Sequence, residues 1–102
     1  MGTPYIPPNV VFVRPMPERH VWVVYENGLA ADVDLMPLLD GPAFDLVRSH
    51  DTIFSRAFVE FGTICWPDGT DIAPELLHEA TLNSVKNSGT KANQSASPVP
   101  VD

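Results

Sequence analysis

Cys65 is the only thiol in the chain, and His20, His50 and His78 are its only imidazoles. A cysteine nucleophile needs a base within hydrogen-bond reach, which His78 or His50 could supply. Against that, Cys65 stands in the apolar run Ile64-Cys65-Trp66, where an unpaired cysteine packs as a small hydrophobe. A zinc site needs three or four ligands at recognisable spacing, and neither Cys65 nor the histidines supply it; the histidines are expected at element ends, partly exposed. Asp68 and Asp71, three residues apart, could do acid–base work or hold a cation, but turn and cap chemistry accounts for both. Asp32 and Asp34 share a face at strand spacing, either as a solvated face or as a landing site for a basic partner. Trp22 and Trp66 are expected as core anchors rather than a ligand-stacking pair. No glycine pattern has the spacing of a phosphate-cradling loop. The residues therefore point to no catalytic group, no metal and no cofactor.

The elements that must position these residues are short. Residues 1–9, with Pro4, Pro7 and Pro8, read as an extended arm. Val10 to Arg14 is a β-branched and aromatic strand stopped by Pro15 and Pro17. His20 to Tyr25 and Leu29 to Asp34 read as two strands joined by Asn27-Gly28, which suits a two-residue type I′ turn. That register sets Glu26 opposite Leu29, Val24 opposite Ala31 and Trp22 opposite Val33, and makes the Trp22 face the core face. Val21, Val23 and Tyr25 then share the other face with Asp32 and Asp34.

Further along, Asp34 to Leu39 looks like one helical turn capped by Asp34. Gly41-Pro42 opens a short helix to about Ser49 with Phe44, Leu46 and Val47 buried. Phe58 to Phe61 and Thr63 to Trp66 read as strands bent at Gly62, and Pro67-Asp68-Gly69 as a turn. Asp71 is the expected N-cap of a helix over residues 72–82, with Ile72, Leu76, Leu77 and Ala80 as its apolar set. From Asn83 the chain lacks aromatic residues and enough apolar ones to offset ordering entropy, so residues 83–102 are expected to be disordered. One domain over residues 10–82, of α+β class with small antiparallel hairpins and two or three short helices, is the organisation these signals imply.

The charge is uneven. Residues 1–82 carry 12 acidic side chains against 4 arginines, net −8, whereas residues 83–102 carry Lys86, Lys91 and Asp102. So negative a body repels phosphate backbones and anionic membranes. No basic start, apolar leader or membrane-length run is present, and a bacterial, cytoplasmic protein is the expectation. A single cysteine allows no intrachain disulfide.

Tyr25-Glu26-Asn27-Gly28, Asp34-Leu35, Phe44 and Leu46, the run from Gly62 to Ile72 through Trp66-Pro67-Asp68-Gly69-Thr70-Asp71, and Pro74-Glu75-Leu76-Leu77 together resemble the small bacterial proteins grouped as domain of unknown function 2442. The likeness spans about residues 10–80, and its Trp-Pro-x-Gly-x-Asp segment is its most specific part. It implies a compact α+β fold, similar to the N-terminal domain of a Nitrosomonas protein whose C-terminal part is a helix-turn-helix. No such helix pair follows Asn83 here. The resemblance implies no enzymatic activity, and members often look like one half of a two-gene, toxin–antitoxin-style pair.

These readings converge on a non-catalytic interaction or regulatory module that binds a basic protein partner or itself. The rivals are a small enzyme using Cys65 or the Asp68/Asp71 pair, and a DNA-linked regulator acting through a partner. The expected binding surface is Val21, Val23 and Tyr25, edged by Asp32 and Asp34, unless the first strand, the arm or the C-terminal helix covers it.

Overall fold

The computed structural model describes residues 6–89. Strands β1 (Val10–Met16), β2 (His20–Tyr25) and β3 (Ala30–Asp34) form an antiparallel meander with β2 in the middle. Two short helices follow, α1 (Asp45–Ser49) and α2 (Asp51–Phe54). A second antiparallel pair, β4 (Phe58–Glu60) and β5 (Thr63–Cys65), leads to the long helix α3 (Pro74–Gly89). The architecture is α+β, as expected.

The β2–β3 hairpin departs from expectation by one residue, and that one residue turns the sheet inside out. Only Gly28 takes positive φ, at 92°; Asn27 does not. A type I′ turn needs both. The chain instead makes a three-residue loop, Glu26-Asn27-Gly28, closed by Tyr25 and Leu29: the Tyr25 N–H donates to the Leu29 carbonyl (2.8 Å) and the Gly28 N–H to the Tyr25 carbonyl (3.0 Å). Val21 now faces Val33, Val23 faces Ala31 and Trp22 faces Asp32. Cross-strand partners share a face, so the shift puts apolar on apolar along the Val21 side and apolar on acidic along the Trp22 side. Burial follows: Val21 and Val23 are 0% exposed and Tyr25 2%, whereas Trp22 is 37% exposed. The expected binding strip of Val21, Val23 and Tyr25 is therefore core, and Trp22 is not a core anchor.

The same turn recurs later in the chain. The Trp66 N–H donates to the Thr70 carbonyl (2.9 Å) and the Gly69 N–H to the Trp66 carbonyl (3.0 Å), with Gly69 at φ 94°. In both turns the middle side chain accepts from the closing residue's N–H at 3.1 Å, Asn27 from Leu29 and Asp68 from Thr70. Both start on a buried aromatic residue. Asp68 also accepts from the Thr70 hydroxyl (2.6 Å), the turn role expected of it.

After the second turn the chain runs back beside β5. Asp71 bridges Cys65, the Ile72 N–H donates to the Ile64 carbonyl (3.1 Å), and the Thr63 hydroxyl donates to the Ile72 carbonyl (2.7 Å). Asp71 is thus in extended pairing and is not the N-cap of α3. The helix begins at Pro74, and the Ala73 carbonyl accepts the Leu77 N–H (3.1 Å). It also runs on to Gly89 instead of stopping near residue 82. The Ser84 hydroxyl donates to the Asp32 carbonyl on β3, which anchors part of the segment expected to be disordered; residues 90–102 lie outside the described residues.

One further extent and two burials differ. β1 continues through Pro15, which pairs with Val21; an edge strand of the meander can hold a proline because one of its sides needs no donor. Leu46 and Leu76, expected in the core, are exposed. The core itself gathers Trp66, Tyr25, Leu35, Leu39, Ile64 and Leu77 with the Val21 strip. Trp66 is the anchor expected of it, its Nε1–H donating to the Phe54 carbonyl (3.0 Å). Tyr25 reaches α3, its hydroxyl 2.9 Å from that of Thr81, which in turn donates to the Leu77 carbonyl (2.7 Å). Asp34 is not the N-cap expected of it: the one-turn 3₁₀ helix Met36–Leu38 is preceded by Leu35 at that position, and the Asp34 carboxylate accepts the Met36 N–H (3.0 Å) two residues on, as a turn acceptor.

Candidate interaction surface

With the Val21 side inward, the outer face of the meander carries three cross-strand rows. Phe12, Val24 and Ala30 form the first, Arg14, Trp22 and Asp32 the second, Met16, His20 and Asp34 the third. Phe12 is 49% exposed and Trp22 lies beside it at the centre. The charged groups begin in the row of Trp22 itself, where Arg14 and Asp32 flank it, and continue with Asp34 in the next. An apolar centre with a charged rim is the anatomy of a protein interface, and tryptophan is among the side chains that most often carry binding energy.

The rim has internal order. His20 Nδ1 is 2.7 Å from Asp32 Oδ1, diagonally across the sheet, and Nε2 is 4.0 Å from Asp34 Oδ1, directly across. The hydrogen bond to Asp32, reinforced by the charges of Asp32, Asp34 and Glu18, raises the His20 pKa above its ordinary 6.5, although partial burial opposes the shift. The two carboxylates face different ring nitrogens and do not converge on one point. Among the described residues no group of three or more His, Cys, Asp or Glu side chains is arranged to hold a metal ion.

Asp32 and Asp34 are thus the two expected binding residues that the structure leaves exposed, now beside Trp22. The motif residues Asn27, Gly28, Asp68 and Gly69 build turns, Trp66 builds core, Pro67 enters the second turn, and Asp71 pairs with β5.

Cys65 is buried. Its thiol points at the Glu60 carbonyl (3.6 Å). Burial raises its pKa most, with the nearby Asp71 and Glu60 charges adding to the rise. Nucleophilic cysteines need the opposite environment, one that stabilises thiolate. His78, expected at an element end, lies within α3, buried, with its ring edge-on to Tyr25 at 5.4 Å. His50 is exposed between α1 and α2, 3.0 Å from the Ser49 hydroxyl.

Arg19 carries a role no sequence pattern signals. It follows Glu18 in the tight turn between β1 and β2, and both take φ 63°, a left-handed backbone that costs a non-glycine residue about 1–2 kcal/mol. The Arg19 guanidinium compensates by donating to the Val47 carbonyl (3.1 Å), the Arg48 carbonyl (2.9 Å) and the Asp51 carboxylate (2.7 Å), over the Phe54 ring. Its own carbonyl accepts the Leu35 N–H (2.9 Å). Arg19 therefore clamps the meander to α1 and α2, which fixes the β1–β2 end of the exposed face.

A small α+β domain with one open sheet face and no convergent reactive groups among the described residues is the class this arrangement defines. The chain belongs to the family described as protein of unknown function (DUF2442), whose model matches residues 10–81. No curated protein and no solved structure matches it. No helix among the described residues is long and apolar enough to cross a membrane.

Proposed function

We propose that the protein is a non-catalytic interaction module that holds a basic protein partner on the outer face of its meander, as the regulatory, antitoxin-like member of a two-gene pair. The observation that carries this reading is the exposure of Trp22 and Phe12 on a sheet face rimmed by Asp32 and Asp34, with Arg14 as its one arginine or lysine among the described residues. Exposed aromatic side chains on so small a body mark association sites. The net −8 of residues 1–82 favours a partner of opposite sign, since complementary charge steers association and suppresses wrong partners. The raised pKa of the Cys65 thiol supports the non-catalytic part of the reading.

Co-expression with the product of the neighbouring gene tests it. The expected result is a complex that weakens as salt is raised, and that Trp22→Glu abolishes without lowering the melting temperature. Absence of a complex, or its survival in Trp22→Glu, would overturn the proposal.

A further inference from the structure

The β4–β5 hairpin turns through Phe61 and Gly62, at φ 55° and 73°, with Glu60 paired to Thr63. Two-residue turns of this kind select Asn, Asp or Gly at both central positions. This chain puts a phenylalanine there and leaves it 84% exposed. The position thus satisfies neither the backbone preference nor the burial preference of its residue, and such conflicts concentrate at functional sites.

Phe61 has company. On the same face of the hairpin, Phe58 pairs with Cys65 and Cys65 bridges Asp71, so Phe58, the thiol and Asp71 lie in one row, with Glu60 in the next. Together these side chains line a groove of about 250 Å³ that also borders Trp66 and Gly69. That is less than the roughly 300–1,000 Å³ of small-molecule sites and suits one long side chain. Its walls are aromatic and its charged groups are carboxylates. No cation lines it.

We propose that this groove takes an arginine side chain of the basic partner, its stem and guanidinium plane against Phe58 and Phe61 and its charge between Glu60 and Asp71. The inference rests on the reading of the protein as a binder of a basic protein, and adds a second contact point away from Trp22. Arginine fits better than lysine because a planar guanidinium stacks on aromatic faces while its forked donors reach carboxylates on either side. A second copy of this chain is disfavoured as occupant by its own negative charge.

Titration of the ¹⁵N-labelled chain with N-acetyl-arginine methylamide tests this without the partner. Saturable shifts confined to residues 58–71 are expected, with a dissociation constant on the order of millimolar. N-acetyl-lysine methylamide should bind more weakly, and the leucine analogue should give no saturable shift. Phe61→Asn should weaken arginine binding about tenfold while raising the melting temperature, because asparagine tolerates the left-handed backbone. Glu60→Gln should weaken binding as well. Trp22→Glu should leave the titration unchanged, so the groove is read whether or not the meander face holds a partner. No saturable shift with arginine, equal binding of leucine or lysine, or unchanged binding in Phe61→Asn or Glu60→Gln would overturn the proposal.

Discussion

Val23 and Asp32 show what single side chains decide in this domain. Val23 has no exposed surface, so Val23→Asp places an unpaired carboxylate in the core. The expected loss exceeds about 4 kcal/mol, within reach of a small domain's whole stability, and circular dichroism should show an unfolded chain. A folded Val23→Asp variant would mean that the strip is open after all. Asp32 sets a pH response instead. Its hydrogen bond to His20 favours the protonated ring in the folded state. The stabilisation is therefore complete below 6.5, the ring's ordinary pKa, and is lost as pH rises through the higher folded value. In an NMR titration Asp32→Asn should bring the His20 pKa down toward 6.5; a wild-type value at or below 6.5 would contradict the assignment. Residue chemistry was partly legible in the sequence: Asp68 as a turn acceptor and Trp66 as core both hold. Arg19 was not, because its role depends on carbonyls of residues 47 and 48, which no local pattern brings near.

At the level of elements, strand existence was easier to read than strand facing. β2, β4 and β5 lie close to their expected spans, since β-branched and aromatic runs bounded by turn residues are strong local signals. Facing failed because both Asn-Gly turn forms are compatible with the same sequence, and they differ by one residue of register. A helix end hidden in a polar run was missed for a related reason: the Ser84 bond to β3 is a tertiary contact. The paired turns at Gly28 and Gly69 offer a matched test. Neither glycine has an atom within 4 Å of where a Cβ would stand, so substitution costs backbone conformation alone. Gly28→Ala and Gly69→Ala should each lower stability by about 1–2 kcal/mol, and by similar amounts in denaturant melts. A marked inequality would show that one turn has a further role.

For the molecule as a whole, charge is the property the sequence states without ambiguity. A body with 12 acids and 4 arginines over residues 1–82 has few groups to replace phosphate counterions. The isolated protein should give no salt-sensitive complex with duplex DNA in fluorescence anisotropy at physiological ionic strength. A submicromolar complex would contradict this and favour direct DNA contact over action through a partner. The surfaces proposed for that partner, around Trp22 and around Phe61, were opaque in the sequence because exposure of an apolar side chain is decided by which elements arrive to cover it.

The order of arrival along the chain matters during synthesis. Every strand of the meander pairs with its sequence neighbour, so these pairings can close as soon as residues 10–34 have left the ribosome. The contact from Tyr25 to Thr81 spans 56 residues. Until α3 emerges, the nascent meander thus exposes apolar side chains on both faces, with the Val21 strip waiting for its helix and the Trp22 face already in its final state. Aggregation of translation intermediates, or their capture by a chaperone, should therefore end when α3 docks on the sheet, and the strip once legible as a binding surface is one only for that interval.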